Sequence, residues 1–289
     1  MSQSTEQEPR QQYLLATSFT GWKRIAYLEW GDEHNPDVVV CVHGLTRNSR
    51  DFDTLARALA PRYRVVCMDV VGRGLSDRLD HPDEYNYPRY VVDASLLLAR
   101  LNVERVHWVG TSMGGLMGMM MAAMPNHPFR SLVMNDIGSF IPGDALRGLA
   151  EYVGKAAAFD SLEKVGRYLA VIHAAFGPVP DGHWMEMAKH SAYQAASGEW
   201  FLRYDPAIAK VFLKPIEDRD MSAIWTAGKV PTLVLRGAAS NLLTEDTLKR
   251  MLSTRSDARA MTFEGCGHAP SLQQADQIAA IQQFLAEHA

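Results

Sequence analysis

The feature that most constrains the fold of this chain is a serine set between glycines at a strand-to-helix junction. Segment 110–115 reads Gly-Thr-Ser-Met-Gly-Gly, follows the apolar run 106–109 and precedes the apolar, helix-compatible segment 116–123. A turn this sharp needs glycines on both sides of the serine, because the neighbouring chain passes too close for a Cβ atom. Such a turn holds the hydroxyl out of the sheet edge, beside unpaired N–H groups of the helix N-terminus. The pattern predicts a nucleophilic serine at Ser112.

Short apolar runs alternate with segments of helical period along most of the chain. This alternation is typical of a mostly parallel sheet covered by helices on both faces. The predicted strands are Leu14–Phe19, Ile25–Trp30, Val38–Val42, Arg64–Met68, Arg105–Val109, Ser131–Asn135, Thr232–Arg236 and Ala260–Phe263. The predicted helices of this core are Asp51–Ala60, Arg89–Leu101, Met113–Met124, Thr244–Ser253 and Gln274–Glu287. The fold class is therefore α/β, with eight strands.

One long segment, residues 139–228, interrupts this alternation and contains no convincing strand. Its helical stretches are separated by Gly and Pro and are predicted at Asp144–Phe159, Ser161–Phe176, His183–Ala195 and Asp205–Leu213. We expect a core of residues 1–138 and 229–289, with 139–228 as a helical cap inserted after the sixth core strand. The alternative is that these helices simply complete the core.

Composition and charge narrow the class of partner. Of the 289 residues, 47% are apolar and 21% charged, as in ordinary globular proteins, and the net charge of −4 gives no sign of nucleic-acid binding. The polar stretch Met1–Gln12 lacks the apolar core of a signal peptide, and no apolar run approaches about 18 residues. We expect a soluble cytoplasmic protein, monomeric or homodimeric, that acts on a small molecule and contacts neither membrane nor nucleic acid. The three cysteines are expected to be buried free thiols.

A serine nucleophile needs a base and donors for the oxyanion, and both have candidates. His268 lies in a glycine-rich loop, residues 265–270, directly after the last predicted strand. Its separation from Ser112 means that only tertiary structure can bring the two together. The turn that begins with His43 follows the third strand, and the N–H of Leu45 in it can face the N–H of Met113 across a reacting carbon.

In combination these motifs resemble the α/β-hydrolase superfamily. The His-Gly pair at 43–44, the loop 69–76, the serine turn and the loop of His268 occur in the superfamily's order. The resemblance spans roughly residues 13–289 and implies an eight-stranded sheet, a lid between strands six and seven, and hydrolysis through an acyl-enzyme. Because the sequence shows no metal-binding motif, phosphate loop or nucleotide fingerprint, we expect no cofactor. Dehalogenases and epoxide hydrolases of this fold typically carry an aspartate in place of Ser112, so we set them aside.

The chain departs from the superfamily at the triad acid. The acid usually follows the seventh strand, in a pattern resembling Gly-x-x-Ser-Asp, and here that position is Asn241. An asparagine carries no charge to stabilise an imidazolium and can leave the histidine in the wrong tautomer. Either the acid comes from elsewhere, or the chain is a disabled or engineered form, or it works slowly without a carboxylate.

The strongest alternative source of a carboxylate is Asp136, at the end of the sixth strand. Some α/β-hydrolases place the acid at this point, although Asp136 could equally cap a turn or shape the pocket floor. Glu245 and Asp246 also follow Asn241, but they begin a helix, where acidic side chains complement the helix dipole. Sequence alone leaves open whether Asp136 or the position of Asn241 completes the site.

The cap carries many aromatic residues that could line an apolar acyl or aryl pocket. We expect the substrate pocket to include His43, Phe140, Trp184 and Trp200, with His43 also stabilising its turn. Arg73 is expected to tie down the loop after the fourth strand. The leading function is a serine hydrolase of small, largely apolar carboxylic esters. The alternatives are a C–C bond hydrolase or enol-lactonase of aromatic degradation, and a non-catalytic ligand receptor on the same fold.

Overall fold

The computed structural model describes residues 8–155 and 158–289. Residues 1–7 of the predicted core and 156–157 of the first predicted cap helix lie outside these ranges. Eight strands form one sheet. Two pairs of neighbouring strands in it are antiparallel, and the other five pairs are parallel. The predicted fold class is confirmed.

The boundaries of the elements follow the turn signals of the sequence. The sheet strands are β1 Arg10–Ser18, β2 Gly21–Trp30, β3 Val38–Val42, β4 Arg64–Met68, β5 Val106–Thr111, β6 Phe129–Asn135, β11 Thr232–Gly237 and β12 Ala258–Phe263. Across the sheet they lie in the order β1-β2-β4-β3-β5-β6-β11-β12, and the antiparallel pairs are β1 with β2 and β2 with β4. The α-helices are α1 Asp53–Leu59, α2 Tyr87–Leu101, α3 Met113–Ala122, α4 Gly143–Ala150, α5 Leu162–Ile172, α6 His183–Ser191, α7 Ser222–Ala227, α8 Glu245–Thr254 and α9 Ala275–Ala286.

The sheet is buried on both faces, as a central parallel sheet must be. All five residues of β3 are buried. Alternate side chains of a strand point to opposite faces. Val40 accordingly packs in the layer that holds the buried residues of α2 and α3, and Cys41 packs with those of α1 and α9. The candidate site described below lies at the edge of the sheet where the parallel strands end.

The segment between β6 and β11 differs in detail from the predicted helical cap. It contains four short strands, which pair as β7 (Phe140–Ile141) with β10 (Arg219–Asp220) and as β8 (Ala192–Gln194) with β9 (Trp200–Leu202). The first predicted helix already ends at Ala150, the third gives way to β8, and Pro206–Leu213 is a 3₁₀ helix. Helix α7 packs on the core, where Trp225 donates from Nε1 to the Met251 carbonyl at 3.1 Å.

Two sets of backbone hydrogen bonds tie this segment to the core. In the loop after β4, Gly74 donates to the Arg203 carbonyl at 2.7 Å, and Asp205 donates to the Gly72 carbonyl at 2.8 Å. At the other side, Gly267 donates to the Ala175 carbonyl at 2.7 Å. The segment is thus anchored both to the loop after β4 and to the loop that carries His268. Among the helices of the described ranges, none has the length and apolar character needed to span a bilayer.

Candidate active site

Ser112 occupies the turn between β5 and α3 in a left-handed conformation, with φ of 51° and ψ of −112°. Non-glycine residues rarely adopt this region, and holding one there costs about 1–3 kcal/mol. The flanking glycines make the turn possible. A Cβ at Gly110 would lie 2.3 Å from the backbone of Gly114, and a Cβ at Gly114 would lie 2.0 Å from the Val42 carbonyl. The turn thus presents the hydroxyl at the carboxyl edge of the sheet.

His268 lies in the loop after β12 and reaches back across the sheet edge to the serine. Its Nε2 is 3.0 Å from Ser112 Oγ, a hydrogen-bond distance at which the hydroxyl donates to the imidazole. Asn135 at the end of β6 holds this loop, because its Nδ2 donates to the Pro270 carbonyl at 2.9 Å and to Thr111 Oγ1 at 3.1 Å. The imidazole is therefore placed to remove a proton from Ser112.

Asp136 directly follows β6, is fully buried and has a left-handed backbone with φ of 53°. Its Oδ2 lies 2.8 Å from His268 Nδ1, and since a carboxylate only accepts, Nδ1 carries the proton. The carboxylate also accepts from the Gly237 N–H at 2.7 Å and from Ser240 Oγ at 2.5 Å. These three donors compensate the burial of the charge and fix its orientation.

Asn241 lies outside this group of hydrogen-bonded side chains. It is exposed, and within the described ranges its side chain makes no hydrogen bond. The loop after β11 instead turns Ser240 inward. The Ser240 hydroxyl oxygen accepts from the N–H groups of Leu242 at 3.3 Å and Leu243 at 3.1 Å, which leaves its proton for Asp136. Sequence reasoning missed Ser240 although it stands next to Asn241 in the same motif.

Leu45 and Met113 line the same cavity as Ser112. Met113 begins α3, so its N–H has no partner within the helix. In the part of the chain that the structure describes, neither the Leu45 nor the Met113 N–H has a hydrogen-bond acceptor. The turn that contains Leu45 packs against Ser112, because a Cβ at Gly44 would lie 3.7 Å from the Ser112 Cβ. Two backbone donors without acceptors in the described ranges therefore lie near Ser112.

His43 is fully buried, and both of its ring nitrogens are engaged in holding loops together. Nε2 accepts from the Val70 N–H at 3.0 Å, so Nδ1 carries the proton that it donates to the Gly44 carbonyl at 2.7 Å. Burial lowers the pKa of His43 to about 3, and the charges of Arg73 and Arg47 act in the same direction. The imidazole is neutral, and it stabilises the turn and does not line the cavity.

A cavity of about 690 Å³ opens beside Ser112 and falls within the size range of small-ligand sites. Its wall is mostly apolar and comes from the core and from the segment between β6 and β11. The apolar lining residues include Leu45, Met113, Leu116, Met120, Ile137, Ile141, Leu146, Leu149, Ile208, Val211, Phe212, Ile216 and Met221. Tyr85, Tyr87 and Tyr90 form one side, and Asp218, Arg219 and Asp220 are exposed polar residues of the lining.

None of the four predicted pocket residues is among those that line this cavity. His43 lies beneath the turn. Phe140 is next to the lining residue Ile141 in β7 and faces the other way, with the Arg250 guanidinium 5.4 Å from its ring. Trp184 packs near Phe176, with ring centroids 6.5 Å apart, and Trp200 pairs by its backbone with Phe159. Trp184 and Trp200 therefore pack within the segment between β6 and β11.

Comparison with known proteins identifies the family of this chain. Residues 39–281 match the sequence model of the alpha/beta hydrolase family. The 3-hydroxybutyrate-oligomer hydrolase of Cupriavidus necator is 42% identical over 96% of this chain and 97% of its own. The chain therefore belongs to the alpha/beta hydrolase family and is a hydrolase.

Two further relatives show how widely this architecture is shared. A crystal structure of an alpha/beta hydrolase from Novosphingobium aromaticivorans is 34% identical, with a TM-score of 0.86 over 97% of this chain and 99% of that one. The 2-(acetamidomethylene)succinate hydrolase of Mesorhizobium japonicum is 26% identical over 78% of this chain and 79% of its own. Relatives with different substrates thus share the framework, so the substrate must be argued from the site.

Proposed function

We propose that this protein is a serine hydrolase that cleaves small, largely apolar carboxylic esters through an acyl-enzyme. The observation that carries the proposal is one continuous chain of hydrogen bonds. It runs from Ser112 Oγ to His268 Nε2 at 3.0 Å, and from His268 Nδ1 to Asp136 Oδ2 at 2.8 Å. Nucleophile, base and orienting acid in this relation are the parts that serine acyl transfer requires.

In the first half of the reaction, Ser112 Oγ attacks the ester carbonyl while His268 Nε2 takes its proton. Asp136 stabilises the imidazolium that forms and keeps its Nδ1–H in place. The carbonyl oxygen becomes an oxyanion, which accepts hydrogen bonds from the N–H groups of Leu45 and Met113. Collapse of the tetrahedral intermediate breaks the ester C–O bond, and His268 returns the proton to the departing alcohol.

In the second half, a water molecule attacks the acyl-enzyme. His268 takes one proton from that water, the same two N–H groups hold the second oxyanion, and the acid product leaves as Ser112 regains its proton. Apart from the attacking water, each group named in these steps belongs to the chain. The residues between β6 and β11 serve in this proposal as a cap over the bound substrate, since Ile141, Leu146 and Phe212 line the cavity.

We further propose short oligomeric esters of hydroxy acids as the substrate class. The support is the relative from Cupriavidus necator, whose similarity spans nearly all of both chains. The cavity is also compatible, because about 690 Å³ with an apolar wall admits a few short aliphatic units.

The hypothesis of a non-catalytic receptor started from the missing carboxylate at Asn241. Asp136 supplies a carboxylate at hydrogen-bond distance from His268, so that argument for a receptor loses its basis. No structural observation favours C–C bond cleavage over ester cleavage.

A fluorophosphonate probe and a panel of substrates test the proposal. We expect one probe molecule per chain, attached at Ser112, and hydrolysis of p-nitrophenyl butyrate and of the linear dimer of 3-hydroxybutyrate. The S112A variant is the matched control and should neither label nor turn over. Labelling of another residue would contradict the site, and turnover of a C–C substrate in preference to both esters would contradict the reaction.

A further inference from the structure

Arg73, in the loop after β4, is a buried cation without an acidic partner. Only 1% of the residue is exposed, and in the ranges 8–155 and 158–289 no carboxylate oxygen lies within 4.0 Å of its guanidinium. The buried arginines Arg47 and Arg255 are paired, with Asp51 at 2.5 Å and with Asp257 at 2.8 Å, whereas Arg236, like Arg73, donates to backbone carbonyls in place of a carboxylate. Burying a charge without a counter-charge is costly, so its surroundings must stabilise it in another way.

The guanidinium is stabilised by backbone carbonyls, a hydroxyl and aromatic rings. Nε donates to the Leu45 carbonyl at 2.9 Å, and Nη1 donates to the Val71 carbonyl at 2.8 Å and to Tyr90 Oη at 3.1 Å. Nη2 lies 3.8 Å from Met113 Sδ. The central carbon is 4.9 Å from the ring centroid of Tyr90 and 5.6 Å from that of Tyr85, within range for cation–π attraction.

Two of these contacts go to the residues whose N–H groups flank Ser112. Arg73 holds the Leu45 main chain through its carbonyl and touches the Met113 side chain. Leu45, Met113, Tyr85 and Tyr90 all line the cavity, so the guanidinium lies directly behind the wall that faces the nucleophile.

The positive charge of Arg73 also reaches this turn. It contributes, after burial, to the low pKa of His43, which immediately precedes Gly44 and Leu45. In a buried site screened from water, a fixed charge acts strongly on an anion that forms nearby. The tetrahedral oxyanion is such an anion.

We propose that Arg73 is a positioning residue of the oxyanion hole, and that its unpaired charge stabilises the oxyanion from behind Leu45 and Met113. The inference rests on the proposed acyl-enzyme function. It goes beyond the simpler role of fastening the loop after β4, because a loop fastener would contribute to folding alone and not to the transition state.

Three substitutions separate the charge from the hydrogen bonds. R73M removes both, R73Q keeps a neutral donor, and R73K keeps the charge. We expect R73M to lower kcat for p-nitrophenyl butyrate about 10- to 100-fold with KM within about threefold, less than the 10²–10³-fold typical of a direct oxyanion donor. R73K should recover most of the loss and R73Q little of it. Affinity for a trifluoromethyl ketone, which forms an oxyanion on Ser112, should fall by the same factor as kcat, whereas affinity for the matching methyl ketone should hold.

R255M is the matched control, because Arg255 is also buried, stacked on an aromatic ring and bonded to a carbonyl, but away from the site. It should lower Tm and leave kcat and trifluoromethyl ketone affinity unchanged. If R73M does not fold, the comparison of kcat between R73K and R73Q tests the proposal. Equal kcat in those two variants, or wild-type kcat in R73M, would overturn the inference alone. A wild-type chain that neither labels with fluorophosphonate nor hydrolyses esters would instead overturn the proposed function.

Discussion

Replacing Asp136 by asparagine tests the site at the point where sequence reasoning left two candidates. The carboxylate of Asp136 faces three donors, which are His268 Nδ1, the Gly237 N–H and Ser240 Oγ. An asparagine of the same shape has one acceptor oxygen and one NH₂ group. If the oxygen stays on Gly237, the NH₂ faces His268, whose Nδ1 must then accept. The proton moves to Nε2, where it blocks removal of the Ser112 proton.

The expected cost follows from this change of tautomer. The same exchange in the serine-protease triad, a worked case for another protein, lowers turnover about 10⁴-fold. We expect D136N to lower kcat about 10³- to 10⁴-fold, which corresponds to about 4–5.5 kcal/mol of transition-state stabilisation. Because the substitution keeps the volume of the side chain, we expect the loss of kcat without a comparable loss of stability, so Tm should shift only slightly.

Asn241 provides the matched control on the neighbouring loop. Because its side chain is exposed and points to no partner in the described ranges, N241D should change kcat by less than about threefold. The assay is initial-rate hydrolysis of p-nitrophenyl butyrate by wild type, D136N and N241D, with Tm measured in parallel. A loss below tenfold in D136N, or a rise of orders of magnitude in N241D, would refute the assignment of the acid to Asp136.

Three further predictions concern the base, the cavity and pH. H268A should remove nearly all ester turnover at neutral pH, and a loss below about tenfold would point to another base. The specificity constant should fall at least tenfold from p-nitrophenyl butyrate to the palmitate, and equal values would contradict a cavity of about 690 Å³. Burial lowers the pKa of His107 to about 4, so the folded state binds fewer protons than the unfolded state below pH 6.5, and stability falls on acidification. Between pH 6.5 and 4.5, the free energy of unfolding measured in urea should fall by about 2 kcal/mol more for wild type than for H107Q. An equal fall in the two proteins would contradict a neutral buried His107.

The parts of the molecule that sequence predicted are those decided by local patterns. The serine turn needs glycines within five residues, and the strands of the sheet are short apolar runs with clear ends. Each predicted core strand overlaps an observed one, and the boundaries moved by a few residues at most for the central strands. These elements depend on steric and periodic rules that act within one segment.

The parts that sequence left open depend on which side chains meet in space. Asp136 and His268 are 132 positions apart, and their contact requires the left-handed backbone at Asp136 and the register of β6 with β11. Residue type alone predicts that the aromatic residues of the segment between β6 and β11 line the pocket. In β7 the side that faces the cavity belongs to Ile141 and not to Phe140, a difference of one residue that composition does not reveal.

The position of His268 after the last strand determines when, during synthesis, the chain can acquire activity. Ser112 and Asp136 emerge first, followed by the segment between β6 and β11. The base follows only with β12, an edge strand that pairs with β11 alone. In the proposed mechanism, a nascent chain, or one clipped before β12, thus holds Ser112 without its base. The same mechanism predicts that hydrolysis begins only when the C-terminal part of the chain has joined the sheet, and that incomplete products of translation or proteolysis are inactive.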